Sequence, residues 1–141
     1  MLKRWLVRTA AVLAVAVSSM GLGAAPAAAG PSGYFCSGWV SNGVIDFEAC
    51  MITNWPSPNK ATYVLYLENT SPSAVSFSYS LSKRQNGSLV TCTTSSMTLG
   101  GYGSDEVECQ GNLNFGWTYR AEGTTSRAGI TKIARGSTVT W

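Results

Sequence analysis

The stretch VSFSYSLSKRQNGSLV, residues 75–90, decides the fold. Val75, Phe77, Tyr79 and Leu81 alternate with Ser76, Ser78, Ser80 and Ser82, so one side is apolar and the other carries hydroxyls. A period of two is that of a β-strand resting one face on a core. Asn86-Gly87 follows, a pair that accepts the positive φ of a two-residue hairpin turn. With those two at the centre of the turn, Gln85 pairs with Ser88, Lys83 with Val90 and Leu81 with Cys92. The inward set of one strand then meets the inward set of the next, so the register is self-consistent.

Working outward, the same period recurs. Tyr63, Leu65 and Leu67 alternate with Val64 and Tyr66, apolar on both sides, which predicts a central strand. Asn69-Thr70-Ser71-Pro72-Ser73 reads as the turn after it. Val107 and Cys109 share a face opposite Glu106 and Glu108. Leu113, Phe115, Trp117, Tyr119 and Ala121 alternate with polar residues and predict a strand whose aromatics face a core. Further strands are expected over 44–51, 130–133 and 139–141. Turns are expected at 100–103, 123–125 and 135–137. No segment after residue 29 has a helical period. The expectation is an all-β fold: one antiparallel β-sandwich of about seven or eight short strands over residues 30–141.

Residues 1–29 read differently. Lys3, Arg4 and Arg8 give a basic start, an apolar run follows from Ala10 to Val17, and Ala25-Pro-Ala-Ala-Ala29 offers a cleavage site before Gly30. That is the pattern of a secretory signal peptide, with an apolar run shorter than the roughly 20 residues that span a bilayer. The chain is therefore expected to be secreted and extracellular, with no membrane attachment after cleavage. Its 10 basic and 7 acidic residues include three basic ones in the leader, leaving seven of each in 30–141 and a formally neutral domain. A neutral domain has no excess of cations to displace counterions from a phosphate backbone, so nucleic acid is not an expected partner.

Cys36, Cys50, Cys92 and Cys109 all follow the leader. An even count in an exported chain implies disulfides. Of the three connectivities, Cys36–Cys50 and Cys92–Cys109 are favoured, because each pair brackets one short segment. There is no C-x-x-C pair and no histidine, which argues against a metal site, and no cofactor is expected.

The absence of histidine also excludes Ser-His-Asp and Cys-His nucleophiles in their usual forms. Asp46 and Glu48 would share one strand face, but a solvated face explains them better than carboxylate catalysis. Asp105, Glu106 and Glu108 lack the spacing of a calcium loop and read as a charged strand edge. Asn69-Thr70-Ser71 and Asn86-Gly87-Ser88 fit a glycosylation acceptor, yet turn chemistry accounts for both. Among the tryptophans, Trp117 is expected in the core and Trp39 against a disulfide. Trp55 stands apart, in the proline-bearing segment Thr53-Asn54-Trp55-Pro56-Ser57-Pro58-Asn59-Lys60. A rigid exposed indole is an anchor for a sugar face or a protein pocket. The candidate ligand-binding residues are therefore Trp55, Asn54 and Asn59.

The stretch Tyr63 to Val90, with Asn69, Ser71 and Asn86-Gly87, resembles bacterial immunoglobulin-like modules. The leader and cysteine layout resemble small exported proteins of soil actinobacteria. In size and disulfide number the chain is also similar to actinobacterial subtilisin inhibitors. The resulting expectation is a monomeric, secreted, non-catalytic binding domain for an extracellular glycan or protein. The alternative is an inhibitor of extracellular proteases or other hydrolases that presents the 53–60 loop.

Overall fold

A computed structural model describes residues 30–141; the expected signal peptide, 1–29, lies outside the described residues. Sheet A contains β1 (Tyr34–Cys36), β2 (Val40–Asn42), β3 (Ile45–Thr53), β4 (Lys60–Asn69) and β7 (Ser104–Asn112). Sheet B contains β5 (Val75–Gln85), β6 (Ser88–Leu99), β8 (Thr118–Arg127), β9 (Ile130–Arg135) and β10 (Val139–Thr140). All pairings are antiparallel. The main strands run β3-β4-β7 in one sheet and β9-β8-β5-β6 in the other, an immunoglobulin-like sandwich.

The core is built by alternation. Ile45, Phe47, Ala49 and Met51 of β3 and Tyr63, Leu65 and Leu67 of β4 point into it from sheet A. Phe77, Leu81, Tyr119, Ala121 and Ala134 meet them from sheet B. Each large aliphatic or aromatic side chain so buried contributes about 1.5–3 kcal/mol. The central position expected for 63–67 is found, since β4 is bonded to β3 on one side and β7 on the other. The outward serines of β5 bond across the strands, Ser76 to Thr98 at 2.6 Å, Ser78 to Ser96 at 3.0 Å and Ser80 to Thr124 at 2.6 Å.

Both disulfides have the expected pairing. Cys36–Cys50 joins directly opposed residues of β1 and β3. Cys92–Cys109 ties β6 to β7, and so one sheet to the other.

Four expectations need correction. Among the described residues the strands number ten, and β5 and β6 are long, at 11 and 12 residues; β1, β2 and β10 are the short additions. Leu81 faces Thr93 instead of Cys92, because a β-bulge between Leu81 and Ser82 adds a residue to β6. The extra residue is Cys92, the one that leaves the ladder for the other sheet. The hairpin tip is unaffected: Gln85 pairs with Ser88, and Asn86 and Gly87 have φ of 48° and 86°.

The segment 123–125 is not a turn. It lies inside β8, and the real turn is at Ala128-Gly129, with φ of 50° and 78°. Gly123 marks a close approach of the sheets, where a Cβ would overlap the buried Leu65 side chain. Finally, the alternation over 113–121 is not one strand. A turn at Phe115-Gly116 interrupts it, Trp117 N–H donates to Asn114 C=O at 3.2 Å, and β8 starts only at Thr118. Leu113 and Tyr119 are buried, but Phe115 and Trp117 are exposed, with Trp117 stacked on Tyr119 at 6.4 Å.

Candidate functional site

The outer face of sheet A follows from the same alternation that makes the core. If Phe47, Ala49 and Met51 point inward, then Asp46, Glu48, Cys50 and Ile52 point outward. Register carries this across the sheet. One row runs Tyr34, Ile52, Thr62, Gln110. The next runs Cys36, Cys50, Val64, Glu108. The third is Glu48, Tyr66, Glu106, and the fourth Asp46, Glu68, Ser104. The disulfide and Val64 floor the middle of this face, with Cys50 and Val64 buried beneath its polar rim.

Exposed aromatics stand at both ends of it. Tyr34 is 71% exposed and Trp55 60%, and they line a concavity of about 250 Å³ with Gly33, Ile52, Thr53 and Asn54. At the other end Trp39, 53% exposed, lines a concavity of about 450 Å³ with Tyr66, Leu67, Glu68, Ser104, Asp105 and Glu106. Trp39, expected against a disulfide, is half exposed and lines this concavity beside Tyr66, in the link between β1 and β2. The Tyr34 and Tyr66 rows are four residues apart along β3, roughly 13 Å, wider than one pyranose ring.

The loop bearing Trp55 is held at several points. Asn54 and Asn59 both have left-handed backbone, with φ of 58° and 59°, and the Trp55–Pro56 bond is cis. Asn59 N–H donates to Asn54 Oδ1 at 3.2 Å, and Asn54 Nδ2 donates to Ser32 Oγ at 2.5 Å. Thr62 Oγ1 donates to Trp55 C=O at 3.1 Å, and Leu113 N–H to Asn59 C=O at 2.8 Å. Asn54 thus spends its side chain on the loop and positions Trp55. Asn59 is exposed at the loop's far end, beyond the residues that line the Trp55 concavity. Of the three candidates, Trp55 alone is an exposed apolar surface.

Electrostatics divide the molecule. Sheet A carries Asp46, Glu48, Glu68, Asp105, Glu106 and Glu108 against Lys60, six acidic residues to one basic. Sheet B carries Lys83, Arg84, Arg120, Arg127, Lys132 and Arg135 against Glu122, six basic to one acidic. Residues 30–141, formally neutral in sum, are therefore polarised, about −5 on one sheet and +5 on the other. Among the described residues the ion pairs are those of Glu122 with Arg84 and Arg120, both on sheet B. Partial burial, then the Glu106 carboxylate, the Tyr34 ring, Glu48 and Glu108, push the Tyr66 phenol above its ordinary range. Burial is the larger cause, and the neighbouring carboxylates add to it.

No protein-family model and no curated protein matches this chain. Function must come from the face itself. The Cys36, Glu48 and Cys50 side chains cluster there, but the two sulfurs are bonded to each other. What the arrangement offers is stacking surface flanked by hydrogen-bond acceptors. Trp55, singled out from the sequence as an exposed indole, is exposed; Tyr34, Trp39 and Tyr66, which share the face with it, were not among the sequence candidates. The available signal for Tyr66 was a central strand apolar on both sides, since one of those sides had to face outward.

Proposed function

We propose that this protein is a secreted, non-catalytic binding domain that docks a polysaccharide chain along the outer face of sheet A. The observation that carries the reading is the gathering of Tyr34, Trp39, Trp55 and Tyr66, from four separate segments, onto one sheet face. Aromatic rings present apolar area with little side-chain entropy to lose, and their faces suit the C–H-rich faces of sugars. Carboxylates between them accept hydroxyl hydrogen bonds. Extracellular action is supported by the signal-like residues 1–29 and by two disulfides. Among the described residues no helix is long and apolar enough to cross a membrane.

Retention on insoluble cellulose, chitin and bacterial cell-wall material tests the reading. Wild type is expected to be retained on at least one of them. The Trp55→Ala and Tyr66→Ala variants are expected to wash off while keeping their fold. A folded wild type retained on none overturns the glycan reading.

A second reading, a hydrolase inhibitor, draws support from the hydrogen bonds that hold the 53–60 loop in one shape. Little ordering entropy is lost when such a loop binds. Incubation with subtilisin, trypsin and a metalloprotease discriminates: unchanged enzyme rates, or ordinary cleavage of the loop, sink it.

A further inference from the structure

We propose that the saccharide held by sheet A is a cationic one, a chain of glucosamine units bearing free amines, whose rings stack on Trp39 and Tyr66 while its ammonium groups meet the flanking carboxylates. The inference rests on the glycan reading and names the class of sugar.

The argument begins with the third row of the face. Tyr66 lies directly between Glu48 on β3 and Glu106 on β7, so an aromatic ring has a carboxylate on each side at cross-strand distance. The larger concavity continues this pattern, with Trp39 and Tyr66 as its rings and Glu68, Asp105 and Glu106 as its charges. Among the described residues none of these carboxylates has a cationic side chain within salt-bridge distance. Like charges kept close on a sheet face oppose folding. The chain has cations that could relieve them, yet the fold places six of the seven on the other sheet.

A neutral glycan would leave that repulsion unrelieved, and an acidic one would add to it. A protonated amine attached to a pyranose satisfies both features together. Its ring covers the aromatic, and its charge is attracted to the carboxylates and to the negative face of the indole or phenol. Glu48, Glu106 and Glu108 add to the burial that raises the Tyr66 phenol, as carboxylates close to that ring must. Exposed ion pairs are individually weak, so two or three of them should raise affinity about tenfold at low salt.

The probes are soluble glucosamine oligomers and the same oligomers N-acetylated, titrated calorimetrically at about pH 6 in low and high salt. The deacetylated oligomer is expected to bind about tenfold tighter at low salt, with the preference collapsing as salt screens it. Glu48→Gln with Glu106→Gln should bring the two affinities together, and Trp39→Ala should weaken both. Thermal melts confirm that each variant is folded. Equal wild-type affinities overturn the charge inference and leave the glycan reading standing. Binding of neither oligomer, with no retention on the insoluble glycans, removes both. Polylysine bound as tightly as the glucosamine oligomer and indifferent to Trp39→Ala also overturns the inference, since charge alone would then account for the binding.

Discussion

Replacing Glu122 with Gln is expected to lower the melting temperature by about 8 °C at pH 7, and by progressively less in acid. The reasoning starts from a conflict in the sheet. Arg84 on β5 and Arg120 on β8 are directly opposite each other, and like charges so placed destabilise a strand pair. Glu122, two residues along β8, offsets them. Its Oε1 accepts from Arg84 Nε at 2.6 Å, Arg120 Nε at 2.8 Å and an Arg120 terminal nitrogen at 2.6 Å. Arg84 also donates to Gly87 C=O at 2.8 Å, so the network reaches the hairpin turn. Hydrogen bonds to charged groups are worth roughly 1.5–3 kcal/mol each. The arginine side chains are 33% and 27% exposed, so water screens the pairs and a net loss of about 2 kcal/mol is the working figure. For a domain of this size each kcal/mol moves the melting temperature by about 4 °C.

The pH dependence gives this prediction its sign. Burial alone would raise the Glu122 pKa, but hydrogen bonds from Arg84 and Arg120, together with their charges, outweigh it and hold the carboxyl below its ordinary value of 4.5. A group depressed in the folded state stabilises fully above its unfolded pKa and loses that contribution as pH falls through the folded one. Thermal melts of wild type and Glu122→Gln from pH 7 to pH 3 should therefore show a constant gap down to about pH 5 and a shrinking gap below it. Protonation of the carboxylates on sheet A affects both proteins alike and cancels in the difference. No gap at pH 7, or a gap that widens in acid, refutes the reasoning.

Other outcomes follow from the packing. Removing the inter-sheet bridge with Cys92→Ala and Cys109→Ala opens a loop of 17 residues' separation and should cost about 3 kcal/mol, roughly 12 °C by calorimetry. A change under 3 °C would contradict it. Gly123→Ala should cost about 1–3 kcal/mol in denaturant unfolding, because the new methyl would overlap the Leu65 side chain of the other sheet. A neutral effect would mean that the sheets are not held so close. Trp55→Ala should change stability by no more than about 0.5 kcal/mol, whereas Trp141→Ala, at a residue only 7% exposed, should lose roughly 3–5 kcal/mol. Similar losses in the two melts would show that Trp55 is a packing residue.

The architecture was legible because it rests on local patterns. A strict two-residue period at 75–82 and Asn86-Gly87 gave a strand, a turn and the pairing at the hairpin tip. What local pattern did not carry was distance. Cys92 could not be recognised as a bulge without knowing that it leaves β6 for β7. Gly123 looked like turn chemistry because a glycine required by a neighbouring sheet has no signature of its own. Trp117 kept the parity of a core residue across a turn that parity cannot see. The same limit hid most of the candidate site. Glu48, Tyr66 and Glu106 are far apart in sequence and become a row only when β3 and β7 flank β4. The formal neutrality of residues 30–141 conceals two oppositely charged sheets, since the pairing of strands sorts the charged residues into separate sheets.

The central claim, that the outer face of sheet A is where a saccharide binds, is tested most directly by backbone amide chemical shifts during titration with glucosamine oligomers. The account predicts perturbations concentrated at Tyr34, Trp39, Ile52 to Trp55, Tyr66 and Glu106, with the indole N–H signals of Trp39 and Trp55 among the largest. Perturbations centred on the hydroxyl-bearing face of sheet B, or none at saturating oligomer, would contradict it.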